Sequence, residues 1–437
     1  MAKRKKQFQT LAGMSDIFSN ELSFLKNIEK ISTAIANFYN FSQVITPILE
    51  EEELFVKGTG QDSDIIQKET YSFTTKGKER VILRPEFTPS IIRAYIQNGM
   101  ELWPKPVRLW TFGPLFRHEK QQKGRYRQFH QFNFEIIGSS SAVMDALLIQ
   151  LFSNILLEIG IKNWKVHVNS IGCKECLPRY LRQLKSYYKN NGKHICLECK
   201  KRLLKNPLRV LDCKEEKCQR IKKFAPQIVN YLCEDCHSHF KTFLEFLDAI
   251  ETPYILNPYL VRGLDYYEKT VFEFIPEKKE KTRQGTLIGG GRYNSLVKNL
   301  GGRPISALGG AGGVERIIEE VKENNIKITS DIVNKNINFE EDPLVFIIQL
   351  GDMARKKSLQ MIEKFKKAKI KIAENLEKDN LKFQLGRASN LNVKYAIIIG
   401  QQESINNQVI FRNMETGVQE IIDQDDVLKE IKTRLKA

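Results

Sequence analysis

At 437 residues, 41% hydrophobic and 28% charged, the chain has a globular composition and is too long for one core, so two or three folding units are expected. No run approaches the roughly 20 apolar residues of a membrane helix, and MAKRKKQFQT is followed by LAGMSDIF rather than an apolar core and cleavage site, so a cytoplasmic protein is expected. The net charge of +17, from 69 Lys and Arg against 52 Asp and Glu, favours encounter with a polyanion such as nucleic acid, although a solvated Lys-rich surface gives the same balance.

Residues 21–39 place Leu22, Leu25, Ile28, Ile31 and Ile35 at helical spacing, and Pro47 then opens an extended segment into ILEEEELF. LRPEFT, residues 83–88, is read as extended, with Glu86 and Thr88 on one side where they could hold an ammonium group. Residues 116–138, FRHEKQQKGRYRQFHQFNFEIIG, alternate as a strand pair does, with Gly124 in a basic hairpin loop. Sorted by parity, Arg125, Arg127, Phe129, Gln131, Asn133 and Glu135 share one face, while Tyr126, Gln128, His130, Phe132, Phe134 and Ile136 share the other. The second face reads as core. The first combines guanidiniums, a ring, amides and a carboxylate, which suits an anionic, partly aromatic ligand. A solvated face with cross-strand ion pairs is the alternative. Arg117 and Glu119 share a parity across the loop.

All eight cysteines fall between Cys173 and Cys236, inside a Lys-rich segment, 172–252, that looks helical in pieces. They pair as Cys173 and Cys176, Cys196 and Cys199, Cys213 and Cys218, and Cys233 and Cys236. Such pairs suit two tetrahedral Cys₄ zinc sites of structural type, with free thiols or remnants of a lost site as the alternative. Disulfides are not expected in a reducing compartment.

Strand-like character returns at VRGLDYYEKTVFEFI and TLIGGGRYNSL, and the glycine run LGGAGG opens a helical VERIIEEVKEN that carries Glu315 and Arg316 in its first turns. The glycines are read as letting the backbone approach a ligand closely. The return of strands after the Cys-rich excursion suggests an insertion, 172–252, within one domain, 1–325. Residues 322–342 are polar and Asn-rich and read as a linker. Beyond them, 343–437 alternate strand and helix, the pattern of a compact α/β domain with a largely parallel sheet.

FRHEKQQKGRYRQFHQFNFE resembles motif 2, LGGAGGVERI motif 3, and FSQVITPILE motif 1 of class II aminoacyl-tRNA synthetases. LVRGLDYY and GGGRYNSL resemble the two histidine-specific motifs of the histidyl-tRNA synthetase family. The resemblance implies an α+β fold: an antiparallel-sheet catalytic domain with a helical Cys-rich insertion, followed by a C-terminal α/β anticodon-binding domain. It implies activation of L-histidine by ATP with Mg²⁺, transfer to tRNA(His), and a homodimer. On this likeness, Arg117 contacts the α-phosphate and the amino-acid carboxylate, and Arg262 stabilises the phosphate from the other side. Phe129 and Arg316 sandwich adenine, and Arg125 is a further phosphate contact. Glu86, Thr88 and Gln131 hold the α-ammonium, Glu135 and Tyr267 bracket the imidazole, and Tyr266 and Tyr293 line the pocket. The sequence departs from the family at Phe87, where glycine is common, and at Lys120, Gln121 and Gln122 in the loop that meets the tRNA acceptor end. Arg387 is a candidate for reading the anticodon. The rival reading is the histidine-sensing regulatory subunit of ATP phosphoribosyltransferase, which shares the catalytic fold.

Overall fold

A computed structural model describes residues 8–61, 63–120, 124–277 and 285–434. An eight-stranded sheet dominates the N-terminal three quarters, in the spatial order Ser42–Gln43, Val107–Phe116, Gln128–Ile137, Ala307–Gly313, Ile288–Arg292, Glu268–Pro276, Trp164–Ser170, Tyr254–Leu256. Its inner neighbours are antiparallel, and only the two outermost pairs are parallel. Segments far apart in the chain, the hairpin of 107–137 and the two glycine-rich strands, therefore lie side by side.

One face of this sheet is a dry aromatic layer. Phe132, Phe134, Phe272 and Phe274 all meet Phe152 of the helix Ala142–Ile159 with ring centroids 5.7–6.2 Å apart. That helix corrects the composition-based expectation about membrane spans. Its 18 residues are apolar enough to cross a bilayer, but 89% of them are buried inside the fold, because it is a core helix covered on all sides. The amphipathic N-terminal helix spans Ser19–Phe38. Ile28, Ile31 and Ile35 are buried as the spacing requires, while Leu22 near the helix start is exposed. A smaller sheet, in the order Leu49–Glu51, Arg80–Leu83, Tyr71–Thr74, leads into the helix Thr88–Gln97.

The Cys-rich segment leaves the large sheet after Ser170 and re-enters it at Tyr254. Its helices Cys176–Asn190, Leu197–Lys205 and Glu216–Lys222 surround a small core that includes Tyr180, Leu184, Tyr188 and Val210. Its last helix, Glu234–Ala249, buries Phe240, Phe243 and Phe246 in the main core against Ala142–Ile159.

Residues 322–342 are not a free linker. They contain the short helix Asp331–Asn334 and bury Ile332 and Phe339, whose ring lies 5.2 Å from Phe38. Hydrogen bonds from Lys30 to Val333 O and from Asn37 to Asn338 O add to this burial in strapping the polar segment down. The C-terminal sheet runs Ile372–Glu374, Val345–Gln349, Tyr395–Ile399, Gln408–Asn413, Gln419–Asp423. Its first three strands are parallel, but the last two add antiparallel, which qualifies the largely parallel expectation. A buried ion pair, Arg108 Nη1 to Glu374 Oε1 at 2.8 Å, ties this sheet to the large one.

Candidate active site

The face of the large sheet opposite the aromatic layer carries a cavity of roughly 300 Å³. Phe129, Gln131 and Asn133 line it, as their shared parity requires, while Phe132, Phe134 and Ile136 are buried on the other face. The alternation starts only at Gln128, where the strand begins. Before it the pleat does not constrain side chains. Tyr126, read as core, lines the cavity together with Arg125. Arg127 turns away: its N–H donates to Gly13 O at 2.7 Å, and a Cβ on Gly13 would stand 2.7 Å from Arg127 Cγ. Of the loop expected to meet tRNA, Lys120 is exposed, and Gln121 and Gln122 lie outside the described residues.

The LRPEFT segment is not extended throughout. Its strand ends at Leu83, Phe87 has helical backbone angles, and Thr88 is the first residue of the helix Thr88–Gln97. Glu86 and Thr88 nevertheless both line the cavity. The departure at Phe87 is absorbed by the core: its ring is fully buried, with the Arg84 guanidinium 4.6 Å from its centroid.

VRGLDYY is likewise a loop rather than a strand, and the strand Glu268–Pro276 follows it. Arg262 in this loop lines the cavity, is ion-paired with Glu273, and lies 5.7 Å over the Tyr267 ring. Thr286 Oγ1 donates to the other oxygen of Glu273 at 2.9 Å. Burial would lower the pKa of Arg262, but Glu273, by charge and hydrogen bond, together with Tyr267 and Tyr266, outweighs it and holds the guanidinium above its ordinary value.

The glycine runs make room for the site's own side chains. A Cβ on Gly289 would stand 2.4 Å from Arg262 Nη1, and one on Gly309 1.5 Å from Glu135 Oε2. Gly289 and Gly313 also line the cavity, so this clearing of space is a second task beside the expected close approach of backbone to a ligand.

Around the cavity, Arg117 Nε donates to Pro85 O at 2.8 Å, and its guanidinium lies 5.3 Å over Phe129. Glu119 stands between Arg117 and Arg125, at 3.8 and 3.1 Å. Arg316, from the first turn of the helix Val314–Glu323, donates to Gly124 O at 3.2 Å and Thr286 O at 3.1 Å. Burial, and after it the neighbouring Arg125 charge, lowers its pKa.

Two carboxylates sit deeper. Glu86 accepts from Tyr266 OH at 2.8 Å, and its Oε1 is buried with no hydrogen-bond partner among the described residues. Burial raises its pKa to about 7, against the pull of Tyr266, Arg117 and Arg262. Glu135 is fully buried and lies beneath the cavity rather than on its wall, accepting from Thr88 Oγ1 at 2.7 Å and from Tyr293 OH. Burial raises it to about 8. Tyr266 and Tyr267 line the cavity, whereas Tyr293 is buried behind Glu135.

Sequence reasoning missed Glu273, Thr286, Asp212 and Lys214, all on the cavity wall. Glu273 sits opposite Gly289 in the strand register, a relation that no local pattern reveals. Arg387 of the C-terminal unit is turned toward the large sheet and donates to Lys105 O at 3.4 Å.

The cysteines gather as two groups, Cys173, Cys176, Cys233, Cys236 and Cys196, Cys199, Cys213, Cys218, with all sulfurs in each group within 4.8 Å of one another. All eight are free thiols. Sulfur separations of 3.7–3.9 Å occur within both. A tetrahedron with metal–sulfur bonds of about 2.3 Å has edges of about 3.8 Å.

Comparison with known proteins places this architecture. The family model described as Histidyl-tRNA synthetase matches residues 13–189, and the one described as Anticodon binding domain matches 344–434. A histidine–tRNA ligase of Thermosipho melanesiensis is 39% identical over 421 residues, 96% of this chain and 97% of that protein. One of Dehalococcoides mccartyi is 38% identical over 428 residues, 98% of this chain and all of that protein. The crystal structure of apo S. aureus histidyl-tRNA synthetase covers 97% of this chain and 99% of its own at 30% identity, with a TM-score of 0.60. Full-length identity of this order, on a sheet that brings the motif-bearing strands around one cavity, means that the chain belongs to the histidyl-tRNA synthetase family.

Proposed function

We infer that the chain is a histidine–tRNA ligase. The observation that carries this is the convergence, in one cavity, of Glu86, Thr88 and Gln131 with Arg117, Phe129, Arg262 and Arg316. The histidine carboxylate attacks the α-phosphorus of ATP, the bond from that phosphorus to the bridging oxygen breaks, and pyrophosphate leaves. A ribose hydroxyl at the 3′ end of tRNA(His) then attacks the carbonyl carbon and releases AMP. Such chemistry needs positioning and charge neutralisation rather than a covalent enzyme intermediate.

In this reading Arg117 and Arg262 approach the α-phosphate from two sides, with Arg117 also meeting the substrate carboxylate. Arg125 takes a further phosphate contact, and adenine lies between Phe129 and Arg316. Glu86, Thr88 and Gln131 hold the ammonium, and Tyr266 steadies Glu86. Glu135 and Tyr267 take the imidazole nitrogens, which requires the Glu135 carboxylate to come within reach from beneath the cavity as the ligand settles. Mg²⁺ bound with ATP neutralises phosphate charge. Glu119 is the carboxylate that would fit it, since its Oε2 is buried and accepts no hydrogen bond among the described residues although Arg125 lies beside it.

Residues 1–325 are assigned to catalysis, 172–252 to an insertion within that unit, and 343–437 to anticodon binding. Zn²⁺ in both four-cysteine groups belongs to the same reading. So does a homodimer, supported by Ile45 and Ile48, exposed just after the edge strand Ser42–Gln43. The cytoplasm is its proposed place of work. The regulatory-subunit reading has less support: Arg117, Arg125, Phe129, Arg262 and Arg316 all line the cavity, and the full-length relatives are named as ligases.

The test is histidine-dependent exchange of pyrophosphate into ATP, followed by charging of tRNA(His). Both are expected. Exchange that does not depend on histidine, or no charging of that tRNA, overturns the assignment.

A further inference from the structure

Residues 200–212 are closed at both ends by Cys199 and Cys213, which belong to the same four-thiol group. The segment has little packing of its own: Leu203, Val210 and Leu211 are buried, while Leu204 is three-quarters exposed. A segment this poor in core is ordered by its cross-link more than by hydrophobic burial. Backbone N–H groups already point at sulfur, from Cys196 to Cys218 Sγ at 3.2 Å and from Cys199 to Cys196 Sγ at 3.3 Å, as they do around thiolates bound to metal.

From this segment two contacts reach the loop that carries Arg262. Arg209 Nη1 donates to Gly263 O at 2.6 Å, and Asn206 Nδ2 donates to Asp265 Oδ1 at 2.7 Å. Asp212 and Lys214, on either side of Cys213, reach the cavity wall itself. They also border a second cavity of roughly 590 Å³ that shares Arg117, Arg125 and Gly263 with the first. The loop at 261–267 has no regular secondary structure, so its position depends on such contacts.

We propose that the centre formed by Cys196, Cys199, Cys213 and Cys218 is a Zn²⁺ site that positions the reaction: by closing the 200–212 segment it holds Arg209 and Asn206 against Gly263 and Asp265, and so sets where Arg262 stands. This deepens the zinc and ligase readings above and rests on both. The metal touches no substrate. The other centre differs in its surroundings, since Gly172 beside it meets the sheet at Lys269, where the chain is already paired as a strand.

The full-length protein, purified without chelator, should hold two zinc ions per chain by elemental analysis. Cys213→Ser should lose one of them. In that variant hydrogen exchange at residues 262–265 should be at least about tenfold faster, with the amides of the large sheet unchanged. Arg209→Met keeps every cysteine and guards against simple misfolding of the first variant. It should retain both zincs, speed the same amides, and lower kcat of histidine-dependent exchange about tenfold with histidine KM within about twofold. Arg209→Lys should recover part of that loss. Protein without zinc at this centre overturns the proposal, as does Arg209→Met with unchanged exchange of 262–265 and unchanged kcat. Wild-type protein without exchange activity counts against the ligase assignment alone, and zinc content and hydrogen exchange still decide the positioning role.

Discussion

Two kinds of buried carboxylate lie within a few strands of each other and are treated in opposite ways. Asp145 faces Arg292, whose Nε and Nη2 reach it at 2.6–3.0 Å, with His239 at 3.4 Å. Burial pushes its pKa up, but Arg292 and His239 together outweigh it and hold the carboxyl at about 2. Glu86 and Glu135 are as deeply buried, yet their hydrogen bonds come from neutral hydroxyls, and burial carries them to about 7 and 8. A carboxylate that only holds the fold together is given its countercharge by the protein. Those beside the cavity are bonded by neutral hydroxyls, and Glu86 Oε1 has no donor among the described residues, so a bound N–H group would find a ready acceptor there.

The contrast breaks most visibly at Arg292. Its remaining donors go to Ser139 O and Ser141 O, so Arg292→Met strands a buried charge and two carbonyls. The expected loss is about 3–5 kcal/mol in denaturant unfolding, and a loss below about 1 kcal/mol would mean that Asp145 is satisfied without its guanidinium.

Arg262 is the intermediate case, paired with Glu273 yet on the cavity wall. Arg262→Ala should lower histidine-dependent exchange by about a hundredfold or more, close to 2.7 kcal/mol of barrier, with histidine binding still measurable by calorimetry. A fall of less than about tenfold removes its transition-state role.

Glu135→Gln keeps the shape and removes the titratable carboxyl. Histidine KM should rise about tenfold, near 1.4 kcal/mol, and an unchanged KM would take this residue out of imidazole recognition.

The smallest effect is on stability against pH. Glu86 and Glu135 hold protons in the folded state that the unfolded chain releases above about pH 4.3, so their net effect is a stability that falls as pH rises through about 7 to 8. Asp145 has the opposite sign: its contribution is present above its unfolded pKa and is lost as pH falls through about 2. Urea unfolding of wild type and Glu135→Gln at about pH 7 and 8 should show a flatter dependence in the variant, by about 1 kcal/mol across the interval. Parallel curves would mean that Glu135 is not protonated in the folded protein.

What the sequence by itself determined is what short-range periodicity governs. From Gln128 onward the two-residue pleat sorted Phe129, Gln131 and Asn133 from Phe132, Phe134 and Ile136, and the spacing of Ile28, Ile31 and Ile35 placed the buried face of the first helix. It also showed the cysteines as four pairs. Only the tertiary structure decided which pairs meet, the outer with the outer and the inner with the inner. It likewise turned Arg127 out of the site, made VRGLDYY a loop, and gave Gly289 and Gly309 the task of clearing space for Arg262 and Glu135. The physical reason is range. A pleat or a helical turn is enforced by bonds between residues a few positions apart, whereas Thr88 against Glu135 or Arg292 against Asp145 depends on the register of strands and helices that meet only after the chain has folded.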